Sequence, residues 1–132
     1  MINKQFLLAG NAIFTVENPQ GEYYTFRIKR KNANARFGIS WFINLLTGPD
    51  NTSDYTYIGL LNPTTGDVRE KTDTRPVRVA KWAIKHIYNN KPLPDGYKIH
   101  HEGKCCRCGR TLTTPESCET GIGPECAKLL GI

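Results

Sequence analysis

Tyr23-Tyr24-Thr25-Phe26-Arg27-Ile28-Lys29 alternates apolar and polar side chains. Successive residues of an extended chain project to opposite faces, so Tyr24, Phe26 and Ile28 share one side and Thr25, Arg27 and Lys29 the other. This is a strand with one face for a core and one basic face. Just upstream, Ala12-Ile13-Phe14-Thr15-Val16 reads as a second strand, and Asn18-Pro19-Gln20-Gly21 between them is a turn signal. The two strands predict a hairpin.

Working outward, Arg30-Lys31-Asn32-Ala33-Asn34-Ala35-Arg36 reads as a polar loop. Ile39 to Leu46 is apolar, and its Trp, Phe and Ile content favours a strand, with a short helix as the alternative. Turn formers fill residues 47–54, Tyr55 to Leu61 is a further strand, and Asn62-Pro63-Thr64-Thr65-Gly66-Asp67 turns the chain again. The period then changes. Val79, Ala83 and Ile87 recur at four-residue steps, which predicts an amphipathic helix from about Arg75 to Tyr88. Thr74 is placed to cap it, Pro76 suits its first turn, and Asn89, Asn90 and Pro92 end it.

The fold class expected is therefore α+β. A small antiparallel sheet of about four strands packs one amphipathic helix over residues 1–96, and a zinc-finger segment occupies residues 97–132. Lys91 to Gly96 reads as the linker between them.

The 132 residues suit one small domain with such an appendix, and 39% hydrophobic content supplies a modest core. No stretch approaches the roughly 18 apolar residues of a membrane span. The run Phe6-Leu7-Leu8-Ala9-Gly10 is too short for a signal peptide. A cytoplasmic protein with no membrane partner is expected.

All five cysteines lie between residues 105 and 126, a clustering that favours metal over a disulfide scaffold. In Cys105-Cys106-Arg107-Cys108-Gly109, the thiolates of Cys105 and Cys108 are spaced to grip one tetrahedral ion. Pro124 can open a helix, which puts Cys126 in a first turn where the helix dipole favours a thiolate. A knuckle, a hairpin and a ligand from a helix start describe a treble-clef-like finger holding one structural Zn2+. Two residues compete for the fourth position. Cys118 gives C-x2-C-x9-C-x7-C, and His101 gives a three-cysteine, one-histidine site beginning H-x3-C. Cys106 and His100 each adjoin a better-placed residue. A redox pair is the competing reading of the C-x-x-C, but no βαβ pattern surrounds it.

The segment His101-Glu102-Gly103-Lys104-Cys105, Cys108-Gly109-Arg110-Thr111-Leu112-Thr113 and Gly121-Ile122-Gly123-Pro124-Glu125-Cys126 resembles an uncharacterised family of small zinc-finger proteins of bacteriophages and mobile elements. Gly10-Asn11-Ala12 and Leu46-Thr47-Gly48-Pro49-Asp50-Asn51 resemble its longer phage members. The resemblance implies that Cys105, Cys108 and Cys126 are ligands. It also implies that position 118 is often not cysteine, which moves weight to His101. It implies no settled activity.

Net charge is +6 and the pI is about 9.2. The basic residues form three groups. Arg27, Lys29, Arg30, Lys31 and Arg36 crowd the end of the second strand. Arg75, Arg78, Lys81 and Lys85 share a face of the expected helix, and Lys104, Arg107 and Arg110 surround the knuckle. Such groups can neutralise phosphates, although a charged helix face is commonly just solvated. The loop Thr47-Gly48-Pro49-Asp50-Asn51, flanked by Trp41, Phe42, Tyr55 and Tyr57, reads as a turn first and a recognition loop second. No phosphate-binding glycine loop, nucleophile elbow or paired-carboxylate pattern is present, so no enzyme and no small-molecule substrate are expected. The expected function is a non-enzymatic accessory protein that binds nucleic acid, DNA or RNA. The alternative is an inhibitor or modulator of an acidic host protein, of an anti-defence type.

Overall fold

Ala12, Phe14 and Val16 pair across the hairpin with Ile28, Phe26 and Tyr24, so the apolar sides of both strands meet on one face. The computed structural model describes residues 2–34, 38–50, 53–70, 72–101, 121–129 and 131. The strands are β1 (Asn11–Glu17), β2 (Tyr23–Asn34), β3 (Gly38–Leu46), β4 (Tyr55–Leu61), β5 (Val68–Arg69) and β6 (Lys98–His101). They form one antiparallel sheet in the order β5-β4-β3-β2-β1-β6. The helices are α1 (Lys4–Leu8), α2 (Arg75–Tyr88) and α3 (Pro124–Leu129).

The sheet has six strands where about four were expected, and β2 runs on through residues 30–34, which read as loop. Lys31 and Asn32 pair with Ser40 and Ile39 of β3. The ladder is made by backbone groups, so a polar stretch continues a strand wherever a partner strand is already aligned.

α2 covers the apolar face with Val77, Ala80, Ala83, Ile84 and Ile87. Its end follows from local chemistry. Asn90 takes a positive φ of 51°, Asn90 N donates to Ile87 O, and Lys91 N donates to His86 O. That pairing is a Schellman closure, with asparagine in the left-handed position. At the start, Thr74 has the extended backbone of a cap, but its side chain makes no capping hydrogen bond. α1 was not expected as a helix. Asn3 Oδ1 accepts from Phe6 N, and the single turn tucks Phe6 and Leu7 into the core. Each fully buried Phe or Leu contributes about 1.5–3 kcal/mol of transfer energy. The β4–β5 turn is clamped to the far end of α2. Tyr88 OH donates to Pro63 O at 2.9 Å, and its ring lies where a Cβ on Gly66 would fall, 2.6 Å from Tyr88 Cγ.

The segment expected to form the finger is continuous with this core at both described ends. β6 extends the sheet beside β1, and Ile122 and Cys126 join the same buried cluster. Among the described residues, no helix is long and apolar enough to cross a membrane.

Candidate nucleic-acid interface and metal segment

Residues that pair directly across neighbouring strands share a face, so the register separates the two faces of the sheet. Phe14, Phe26, Ile28 and Ile43 point to the helices and are fully buried. On the other side stand Thr15, Thr25, Arg27, Lys29 and Lys31 of β1 and β2, Phe42 and Asn44 of β3, and Tyr55 and Tyr57 of β4. Lys98 and His100 of β6 complete it. No described helix packs there. The face is still well built. Arg27 Cζ lies 4.1 Å from the centre of the Tyr55 ring, a cation–π distance, and Phe42 meets Tyr57 edge-on at 5.9 Å. Thr15 and Thr25 join their hydroxyls at 2.8 Å, and Thr25 is only 8% exposed although it belongs to this open side. Tyr57 is 43% exposed and Tyr23 65%. Glu17 is the one carboxylate in all six strands.

The expected strand-end basic group is therefore divided. Arg27, Lys29 and Lys31 stand in a row on the open face, about 6.7 Å apart along the strand. Arg30 is on the opposite side, its guanidinium 5.9 Å from the Trp41 ring, and Trp41 Nε1 donates to Leu8 O. Arg36 lies outside the described residues.

The helix group is brought together on α2, and every member has a carboxylate. Arg75 meets Glu22 at 3.7 Å, Arg78 meets Asp73 at 3.2 Å, Lys81 meets Glu70 at 2.8 Å and Lys85 meets Asp67 at 2.6 Å. The hydrogen bond from Lys85, with a second from Thr65, holds the Asp67 carboxyl below its ordinary value, and the Glu70 hydrogen bond raises Lys81. By contrast, Lys29, Arg30 and Lys31 have no ion pair among the described residues.

The loop between β3 and β4 is braced by its own side chains. Asp50 N donates to Asp54 Oδ2, Ser53 Oγ to Asp50 Oδ2, and the Thr47 hydroxyl meets that of Thr56. This is the arrangement of a structural turn. The aromatic residues that flank the loop in sequence are separated by it: Trp41 faces the core, while Phe42, Tyr55 and Tyr57 join Arg27 and Lys29. Sequence reasoning missed Asn44, Lys98 and His100. The signal was present for β6, where Lys98-Ile99-His100 alternates, but four residues are too few to stand out.

In the segment expected to hold zinc, Cys105, Cys106, Cys108, Cys118, Lys104, Arg107 and Arg110 lie outside the described residues. His101 and Cys126 are described. His101 ends β6 opposite Phe14, with its ring 6.2 Å from that of Phe6. Cys126 is buried in the first turn of α3. Gly121, just before α3, abuts the same Phe6: a Cβ there would lie 2.5 Å from Phe6 Cε2 and 3.7 Å from His101 Cδ2. The strand end and the approach to the helix thus converge on one aromatic ring. An imidazole and a thiol are the nitrogen and sulfur donors that zinc prefers, so the two described residues fit the group. Among the described residues, no three His, Cys, Asp or Glu side chains gather into a metal cluster.

Residues 100–131 match DUF6011, a family of unknown function. The match begins inside β6 and runs past α3, so it covers the cysteine-rich segment and leaves the rest of the sheet and α2 outside. No curated protein and no solved structure matches the chain.

Proposed function

We propose that the open face of the sheet binds single-stranded nucleic acid. One observation carries this reading. Arg27, Lys29 and Lys31 form a row beside Phe42, Tyr55 and Tyr57 on a face with almost no negative charge, whereas Lys81 and Lys85 of α2 are held by Glu70 and Asp67. Cations spaced along a strand can follow a phosphate backbone, and the exposed Tyr57 ring, beside the half-buried Phe42 and Tyr55, offers a stacking surface to an unpaired base. A six-stranded face is broader than the single helix or two-stranded ribbon that a major groove admits, so splayed, unpaired bases suit it better.

In this reading the C-terminal segment holds one structural zinc through Cys105, Cys108, Cys126 and His101, with Cys118 as the alternative fourth ligand. The metal fixes β6, and with it Lys98 and His100, at the edge of the binding face. The protein is a non-enzymatic accessory factor, of bacteriophage type by the resemblance of its cysteine motif. The test is binding of single-stranded and duplex oligonucleotides across a salt series. Single strands should bind more tightly, and affinity should fall steeply with salt. Binding of an acidic protein partner with no affinity for any oligonucleotide would replace this reading with the inhibitor reading.

A further inference from the structure

A groove of about 440 Å³ lies on the other side of the molecule, where the tip of the β1–β2 hairpin, the first half of α2 and the turn before β6 meet. Its apolar lining includes Tyr24, Val79, Trp82 and Tyr97, and its charged lining is Arg75, Arg78 and Glu22, the carboxylate that Arg75 meets. Trp82 and Tyr97 meet at 5.1 Å between ring centres, and His86 backs Trp82 at 4.6 Å. The walls are preset. The Tyr97 turn is closed by Tyr97 N donating to Pro94 O, and Gly96 packs against Pro19 at the hairpin tip. Asn18 Oδ1 ties that tip by accepting from Gln20 N and Glu22 N.

We propose that this groove is a nucleotide-binding site that takes one nucleoside monophosphate unit, with the base against the Trp82–Tyr97 wall and the phosphate on Arg75 and Arg78. The volume is within the range of small-ligand pockets, about 300–1,000 Å³. The two arginines are three residues apart on a helix, about 5–6 Å between Cβ atoms, so both forks can address one phosphate. Their present partners compete weakly. Both pairs are exposed, with Arg75 and Arg78 side chains 57% and 59% accessible, and ion pairs so open to water are weak. A phosphate dianion met by two guanidinium forks makes more charge-assisted hydrogen bonds than either carboxylate now does. The ring wall favours a planar base, and the arginine pair favours an anion beside it. This site is independent of the open face, and its ligand is either a free nucleotide or the phosphorylated end of a strand.

The experiment follows the Trp82 indole N–H by NMR in the full-length protein, with adenosine monophosphate, adenosine and inorganic phosphate as probes. The chain has two tryptophans, and Trp41, bonded to Leu8 O, serves as the internal reference. Saturable movement of the Trp82 signal with the monophosphate is expected, with adenosine weaker and phosphate nearly silent. The double variant Arg75→Gln/Arg78→Gln should weaken the monophosphate by at least about tenfold and leave adenosine unchanged. Tyr97→Ala should weaken both, and Lys29→Gln/Lys31→Gln neither. An oligonucleotide with a 5′-phosphate that matches the monophosphate, while its 5′-hydroxyl form does not, assigns the strand end as the source. A response to the mononucleotide alone assigns the free nucleotide. The proposal is overturned if the monophosphate leaves Trp82 unmoved at millimolar concentration, if the arginine variant responds as the parent does, or if inorganic phosphate moves the signal equally.

Discussion

Replacing Lys29 and Lys31 by Gln is the most direct perturbation of the open face. Both residues sit on the outward side of β2 with no ion pair among the described residues, so their loss breaks no described pair and should change stability by less than about 0.5 kcal/mol. Three cations in the row, Arg27, Lys29 and Lys31, each facing one phosphate, give a slope of log K against log salt of about −2 for a single strand, from about −0.7 per phosphate. The double variant keeps Arg27 and should retain a slope near −0.7. Two exposed charge contacts of about 0.5–1 kcal/mol each predict a loss of about five- to thirtyfold at moderate salt. Tyr57→Ala should lose about 1–3 kcal/mol, the worth of one stacked base, and leave the salt slope unchanged. Fluorescence anisotropy with a labelled oligonucleotide lacking a 5′-phosphate measures both quantities. The matched control is Lys81→Gln/Lys85→Gln, which removes the same charge from α2, where Glu70 and Asp67 already engage it. Equal loss of affinity and slope in the control would show that net charge alone drives binding and would refute the assignment to the sheet face.

Purified protein should carry about one zinc per chain by metal analysis, and Cys105→Ser, Cys108→Ser and Cys126→Ser should each lose it. His101→Ala should lower zinc affinity markedly while Cys118→Ala does not; the reverse result assigns a four-cysteine site. Gly66→Ala combines a φ of +77° with a Cβ 2.6 Å from Tyr88 Cγ, so chemical denaturation should show a loss of about 2–4 kcal/mol, more than the strained backbone alone costs. Stability against pH should be level just below pH 10 and decline above it. Burial raises the Tyr88 phenol above its ordinary 10.0, and the Glu70 hydrogen bond raises Lys81 above 10.5, so the unfolded chain gives up these protons first. On the acid side the sign reverses. Asp67, held below 3.8 chiefly by its Lys85 hydrogen bond, contributes above that pH and ceases to as pH falls through its lowered value.

Elements whose pattern is repeated were legible in the sequence. The expected helix Arg75–Tyr88 and strand Tyr55–Leu61 have the bounds the structure gives them, and the β1–β2 hairpin differs only in length. Short elements were not legible. Val68–Arg69 is a strand only because Leu60 and Leu61 lie beside it, and Lys4–Leu8 is a helix because Asn3 caps it and Phe6 has a core to enter. For the site, the basic residues were visible but their grouping was not. Arg30 is adjacent in sequence to Lys29 and Lys31, yet the strand period sends it to the other face. Glu70, Asp73 and Asp67 precede α2 in the chain, and nothing in the helix pattern tells that they fold back onto Lys81, Arg78 and Lys85.

The openness of one face follows from the connection that closes the sheet. β5 and β6 lie at opposite edges, and α2 is the helix between them in the chain. Six strands set five spacings of about 4.8 Å, or about 24 Å, and a 14-residue helix is about 21 Å long. One helix laid across that width covers one face, and α1 and α3 add Phe6, Leu7, Ile122 and Cys126 to the same side. A face on which no described helix packs suits polar side chains, in keeping with the threonine, asparagine, lysine and arginine on it. Solvation does not account for Phe42, Tyr55 and Tyr57; strand propensity and their contacts with one another and with Arg27 do so in part. The same rings and cations are the surface on which the proposed binding of an unpaired strand rests, so loss of binding in Tyr57→Ala without loss of stability separates a binding role from a packing one.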